Sequence, residues 1–335
     1  MDIINEFLFF LGGITVFLLG LSKISESASG FSEEKSKNFL LKCSSSPLRG
    51  IATGATVTAL VQSSIATNVV AVGLVDGGIL SFYSASAIIM GANIGTTATA
   101  QIVALSGVTA FDITALGSLS AFIGALITFL VKNGKNKTIG GVLIGFGLLF
   151  IGLEIMSDSV NFFKDYEFFK RLFLVENPVV LFLNGLVLTA VMQSSSALSG
   201  IMIILAGSGL LSFKSSMFIL YGANVGTCLP VIISSLGKSD GARRTAVFNL
   251  FFNVFGVLVF FLPTVVFGDC IARLFLRGKD VGRAIANFHT AFNVSVTALV
   301  LPILKPFTAL ISKMVSEERK NRKILIKKQI SNIYN

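Results

Sequence analysis

Seven stretches of this chain contain no Asp, Glu, Lys or Arg: residues 50–75, 77–111, 113–131, 177–213, 215–237, 245–268 and 284–304. About 20 consecutive uncharged, mostly apolar residues suffice for a helix to cross the hydrocarbon of a bilayer. Charged residues make up 13% of the 335 positions, against about 25% in soluble domains. This pattern excludes a soluble enzyme, a disulfide-stapled secreted domain and a nucleic-acid-binding protein. The formal net charge of +10 is therefore read as loop asymmetry in a membrane protein. Cys43, Cys228 and Cys270 share no spacing and suggest neither a disulfide framework nor a zinc site. The N-terminus carries Asp2 and Glu6 where a signal peptide needs basic residues, so its apolar run reads as retained.

The chain also repeats itself. Thr58-Ala59-Leu60-Val61-Gln62-Ser63-Ser64 returns 131 positions later as Thr189-Ala190-Val191-Met192-Gln193-Ser194-Ser195. At the same offset Gly91-Ala92-Asn93-Ile94-Gly95-Thr96-Thr97 returns as Gly222-Ala223-Asn224-Val225-Gly226-Thr227-Cys228. Two motifs at one offset predict a duplicated core. The expected division is a first repeat over 8–131, a linker at 132–138, a second repeat over 139–267, additional C-terminal helices over 268–312 and a basic tail over 313–335.

Simple spanning helices are expected at 8–27, 83–105, 112–131, 139–160, 217–236, 245–267 and 285–304. The segments 50–75 and 181–210 are different, because the first alone holds eight Thr, Ser, Gln and Asn residues. Each is read as a re-entrant hairpin that breaks near Gln-Ser-Ser, tolerable only where protein buries it. Three crossings per half is an odd number, so equivalent elements have opposite orientation. The predicted fold is an all-α polytopic membrane protein with two inverted-topology repeats whose re-entrant hairpins carry broken helices. Taking 132–138 as cytoplasmic places 19 of the 27 Lys and Arg inside, as the positive-inside rule requires. Arg273, Arg277, Lys279 and Arg283 strain that assignment, since they would sit outside or belong to an interfacial helix.

Inverted repeats with broken segments at matching depth are the sequence pattern of a secondary transporter. Free N–H groups at a half-helix N-terminus can hold an anion, and freed carbonyls and hydroxyls can hold a cation. Two such breaks supply roughly +1 of charge between them. A dianion needs more, and 50–75 and 177–213 contain no charged side chain to supply it. Co-bound sodium on neutral oxygens would do so.

The paired Gln-Ser-Ser motifs, the paired Gly-Ala-Asn-x-Gly-Thr motifs 31 residues later and the inverted duplication together resemble the type II sodium/phosphate cotransporters and their bacterial relatives, over about residues 8–295. The resemblance implies sodium-coupled movement of inorganic phosphate by alternating access. Carried over by position, it marks Gln62, Ser63, Ser64, Gln193, Ser194, Ser195 and Ser196, with Asn93 and Asn224, for phosphate. For sodium it marks Gln62, Thr67, Thr96, Thr97, Gln193 and Thr227. Ile65 stands where Ser196 stands in the other copy, and Cys228 replaces Thr97, so the two halves are not equivalent. Many bacterial members carry a cytosolic helical domain, which this chain is expected to lack. The setting implied is the inner cell membrane, with membrane lipid as a partner, no nucleic acid, and a homodimer left open.

Other readings stay open. The motifs could serve helix packing, as Gly141 and Gly145 do in Gly-x-x-x-Gly spacing. A second duplication pairs Arg243, Phe248, Phe252, Asn253 and Val254 with Arg283, Phe288, Phe292, Asn293 and Val294. Phe at i and i+4 shares a helix face, which is packing. His289 takes the place of Asn249 and reads as a buried, hydrogen-bonded imidazole. The alternative functions are an anion channel, a transporter of sulfate or arsenate, and an intramembrane serine protease. The duplication of the serine motif argues against the protease.

Overall fold

The structure is a computed structural model, and it describes residues 3–29, 46–105, 113–131, 135–163, 176–278 and 280–315. Residues 132–134 of the linker, the 106–111 turn and the tail beyond 315 lie outside those described.

The described residues form helices throughout: α1 (Ile3–Ser29), α2 (Pro47–Val61), α3 (Ser64–Asp76), α4 (Phe82–Val103), α5 (Ile113–Leu130), α6 (Lys135–Phe163), α7 (Pro178–Met192), α8 (Ser195–Gly207), α9 (Phe213–Gly226), α10 (Cys228–Ser234), α11 (Asp240–Leu276) and α12 (Val281–Val300). Five spans among them are long and apolar enough to cross a membrane: Ile4–Ser27, Asn136–Val160, Phe213–Ser234, Asp240–Leu276 and Val281–Val315. Large apolar side chains such as Phe129, Val191 and Leu258 are exposed on the outside. Patches of that kind are rare on soluble monomers and ordinary against lipid. The protein is a multi-pass membrane protein.

Two expected helices come out differently. The helix expected at 217–236 is interrupted at Thr227 between α9 and α10. Pro230 explains this, because it has no N–H for the Gly226 carbonyl four residues back and its ring crowds that oxygen. The helix expected at 245–267 runs from Asp240 to Leu276, 37 residues or ~55 Å, well beyond the ~30 Å of bilayer hydrocarbon. It carries Arg273 in its last turn, with Arg277 as its C-cap and Arg283 in the first turn of α12. Three of the basic residues that strained the charge count, Arg273, Arg277 and Arg283, thus lie near the corner between two long helices, where half-buried Arg283 donates to Gln101 Oε1 at 3.1 Å; Lys279 lies outside the described residues.

Glycines set how closely the helices approach. α1 and α6 run antiparallel: a Cβ on Gly20 would meet the Gly145 carbonyl, and one on Gly152 would meet the Gly13 carbonyl. Gly13 and Gly145, and Gly20 and Gly152, are each 132 positions apart, so the crossing contacts itself through equivalent residues. The Gly-Ala-Asn motif glycines do similar work. Gly91 lies on the Ile51 carbonyl of α2, and Gly222 lies on the Phe182 carbonyl of α7, so close that no side chain fits. α2 therefore packs on α4, and α7 on α9. The half-helices α3 and α8 also lean on α4. Buried aromatic side chains fill the other side of the core, where the Tyr221 hydroxyl meets Thr264 Oγ1 at 2.6 Å.

Candidate functional site

Each Gln-Ser-Ser motif sits at a break between two helices of matching length. α2 and α7 have 15 residues each, and α3 and α8 have 13 each. Gln62 (φ 58°) and Gln193 (φ 52°) are the only non-glycine residues with positive φ among those described. A left-handed residue with a Cβ costs about 1–2 kcal/mol, and glycine would remove most of that cost. Both positions keep a glutamine. Strain of this kind, repeated at equivalent positions, points to a use for the side chain.

The residue after each Gln restarts the helix. Ser63 is the N-cap of α3, its Oγ accepting the Ala66 amide at 3.1 Å, and Ser194 caps α8 by accepting the Ala197 amide at 3.1 Å. The Thr67 and Leu198 amides bond to the Ser63 and Ser194 carbonyls. The first two amides of each new helix, those of Ser64 and Ile65 and of Ser195 and Ser196, have no intrahelical acceptor. All four residues line one cavity, together with Gln62, Ser63, Gln193 and Ser194, and its empty volume is about 210 Å³. Two helix N-termini, two helix C-termini and a set of hydroxyls and amides therefore meet in one place with no charged side chain among them.

The halves differ in detail. The Gln62 carboxamide is half-buried and fixed, donating to the Ala59 carbonyl and accepting from the Thr99 hydroxyl. The Gln193 side chain is exposed. Thr99 also lies 3.2 Å from Ser196 Oγ, so one hydroxyl ties the two motifs together. The sequence reading missed Thr99. Its equivalent is Pro230, so the repeat comparison gave no hint, and the only signal was its place one helical turn beyond Thr96.

The remaining predicted residues lie behind this lining. Asn93 and Asn224 are buried and donate to the Ile89 and Leu220 carbonyls, both at 2.9 Å. Thr96 and Thr97 donate to the carbonyls of Ala92 and Ile94 in their own helix, and Thr227, at the end of α9, donates to that of Asn224. Thr67 donates to the Ser63 carbonyl and receives the Thr58 hydroxyl, both at 3.0 Å. Their hydroxyl protons are committed, which leaves oxygen lone pairs as their free chemistry. In the second half Leu198 stands at the position of Thr67, and the buried Thr189 hydroxyl has no partner among the described residues. Cys228 is buried, with its Sγ 3.4 Å from Asn253 Nδ2. His289 is buried as expected, but its Nδ1 has no hydrogen-bond partner among the described residues. No cluster of His, Cys, Asp and Glu suited to a metal ion occurs among them.

Long apolar helices, with a charge-free cage between two broken ones, define the class: a multi-pass membrane transporter. The sequence model of the Na+/Pi-cotransporter family matches residues 16–158 and 168–294, and the chain belongs to that family. It is 28% identical to the protein YqeW of Bacillus subtilis over 90% of this chain and 96% of that one. It is 27% identical to YjbB of Escherichia coli K12, a protein named for inorganic phosphate export, over 79% of this chain and 48% of the relative. It is 40% identical to rat sodium-dependent phosphate transport protein 2A over 52% of this chain and 28% of that protein. The chain thus spans about half the length of the Escherichia coli relative and under a third of the rat one. No solved structure matches it.

Proposed function

We propose that this protein couples sodium to the movement of inorganic phosphate across the bacterial inner membrane, by alternating access to the cage between residues 62–65 and 193–196. The observation that carries the reading is that the two motifs, 131 residues apart, line one cavity. Phosphate would be held by the unpaired first-turn amides, by the Gln62 and Gln193 carboxamides and by the Ser64, Ser195 and Ser196 hydroxyls. Sodium would take the lone pairs of Thr67, Thr96, Thr97 and Thr227 and the glutamine oxygens, with Asn93 and Asn224 buttressing both. The need for cations follows from charge: two helix N-termini offer only about +1, and the two helix C-termini that meet there offset it.

The inverted-repeat reading of 8–131 and 139–267, with α2–α3 and α7–α8 as re-entrant hairpins, draws support from the antiparallel α1–α6 crossing. A two-fold relation brings equivalent residues into reciprocal contact, as Gly13, Gly20, Gly145 and Gly152 do. The names of the mammalian relatives favour sodium coupling, while that of YjbB favours export, so direction is set by gradients in this reading.

Reconstituted protein should move radiolabelled phosphate in response to an imposed sodium gradient. Equal flux with choline in place of sodium would refute the coupling. Carriage of sulfate with no phosphate flux would refute the substrate.

A further inference from the structure

A second cavity shares no residue with the cage. It lies where α1 and α5 end and α6 begins, has an empty volume of about 480 Å³, and is lined by Lys23, Glu26, Ser27, Thr128, Lys137 and Thr138. Gly141 completes the wall, where a Cβ would displace Ser27 Oγ. Lys23 pairs with Glu26 at 3.0 Å, while Lys137 is exposed and makes no ion pair among the described residues. Two ammonium groups against one carboxylate leave a net positive pocket, and the hydroxyls of Ser27 and Thr138 add donors. The N-terminus of α6 contributes partial positive charge and the C-termini of α1 and α5 partial negative charge, a balance of about −0.5 that leaves the pocket net positive.

Its position says what kind of anion fits. One apolar span closes at Ser27 and another opens at Asn136, so the pocket sits where hydrocarbon gives way to headgroups. Leu19, Phe129, Leu130 and Ile139 flank the lining residues in sequence and are exposed. A free anion would leave that apolar rim unused, whereas a lipid would cover it with acyl chain. The geometry points to a binding site for the phosphorylated headgroup of an anionic phospholipid, held by Lys23 and Lys137 and joining the ends of α1, α5 and α6. Basic pockets between spanning helices suit such headgroups.

Native mass spectrometry of the full chain, with phosphatidylglycerol, phosphatidylcholine or inorganic phosphate added, tests this. Phosphatidylglycerol should be retained at least tenfold over phosphatidylcholine. Lys137→Gln should weaken it about fivefold, and Lys23→Gln with Lys137→Gln roughly 25-fold, while Arg at both positions keeps it. Phosphate binding at the cage should not change, nor should the melting temperature measured without added phosphatidylglycerol. Lys137 is exposed, so its single variant reports even if the double variant folds poorly. Equal retention of the two lipids, or retention indifferent to both substitutions, would overturn the site. Displacement of phosphatidylglycerol by millimolar inorganic phosphate would overturn the lipid in favour of a free anion.

Discussion

Gln62 and Gln193 hold an unfavourable backbone conformation without a glycine, and that places the first prediction on their side chains. Gln62→Ala and Gln193→Ala should each weaken phosphate binding roughly 10- to 150-fold, the value of a hydrogen bond to a charged group. The double variant should be less than additive, since both act on one ligand. Gln62→Gly relieves the left-handed residue, which offsets the loss of the side-chain hydrogen bonds to Ala59 and Thr99, so it should fold near the parent's stability yet lose binding equally. Normal phosphate affinity in the well-folded glycine variant would return the motif to helix packing. Thr99→Val cuts the hydroxyl bridge from Gln62 towards Ser196. A neutral hydrogen bond is worth about 0.5–1.5 kcal/mol, so affinity should fall about 2- to 13-fold by calorimetry. No effect would mean that Gln62 keeps its orientation without Thr99.

At the scale of elements, the pairing of α2 with α4 and of α7 with α9 depends on glycines that no side chain can replace. Gly91→Ala and Gly222→Ala should lower stability by about 1–3 kcal/mol, as overpacking does, and shift the Gln-Ser-Ser break. Gly73→Ala and Gly207→Ala meet open space and should melt no lower than the parent. Equal melting of all four variants would dismiss the close approach. The existence of these helices was legible in the sequence, and so were the breaks, because polar residues crowd a charge-free stretch. What the glycines do was half legible: spacing suggested close packing, but only coordinates say which carbonyl lies opposite. The interruption at Thr227 was written in Pro230, and reading 217–236 as one apolar run hid it. The length of α11 was hidden differently, since the charged residues at its ends look like loop in a hydropathy reading. Thr99 illustrates a further limit, because a contact between residues 97 positions apart leaves no trace in either local pattern.

For the whole molecule, the inverted reading makes a demand on sidedness. Gly77 and Ser208 are 131 positions apart and cap the C-termini of α3 and α8. Single cysteines there, in a background without Cys43, Cys228 and Cys270, should react with an impermeant reagent from opposite sides of the membrane. Reaction of both from one side would remove the inverted relation. The neutrality of the cage has one more consequence. Nothing in its lining, from Gln62 to Ile65 and Gln193 to Ser196, gains or loses a proton near neutral pH. If phosphate is bound there as proposed, it is the group in the cage that titrates, and a donor-rich lining favours the form of phosphate with fewer protons of its own. The pH profile of binding should trace the ionisation of phosphate in water and rise with its dianion fraction. An inflection at a pH where phosphate does not ionise would reveal a protein group acting inside the cage. On the proposed reading the protein would need no acid or base of its own in the cage, and acidity would act on binding through the cargo.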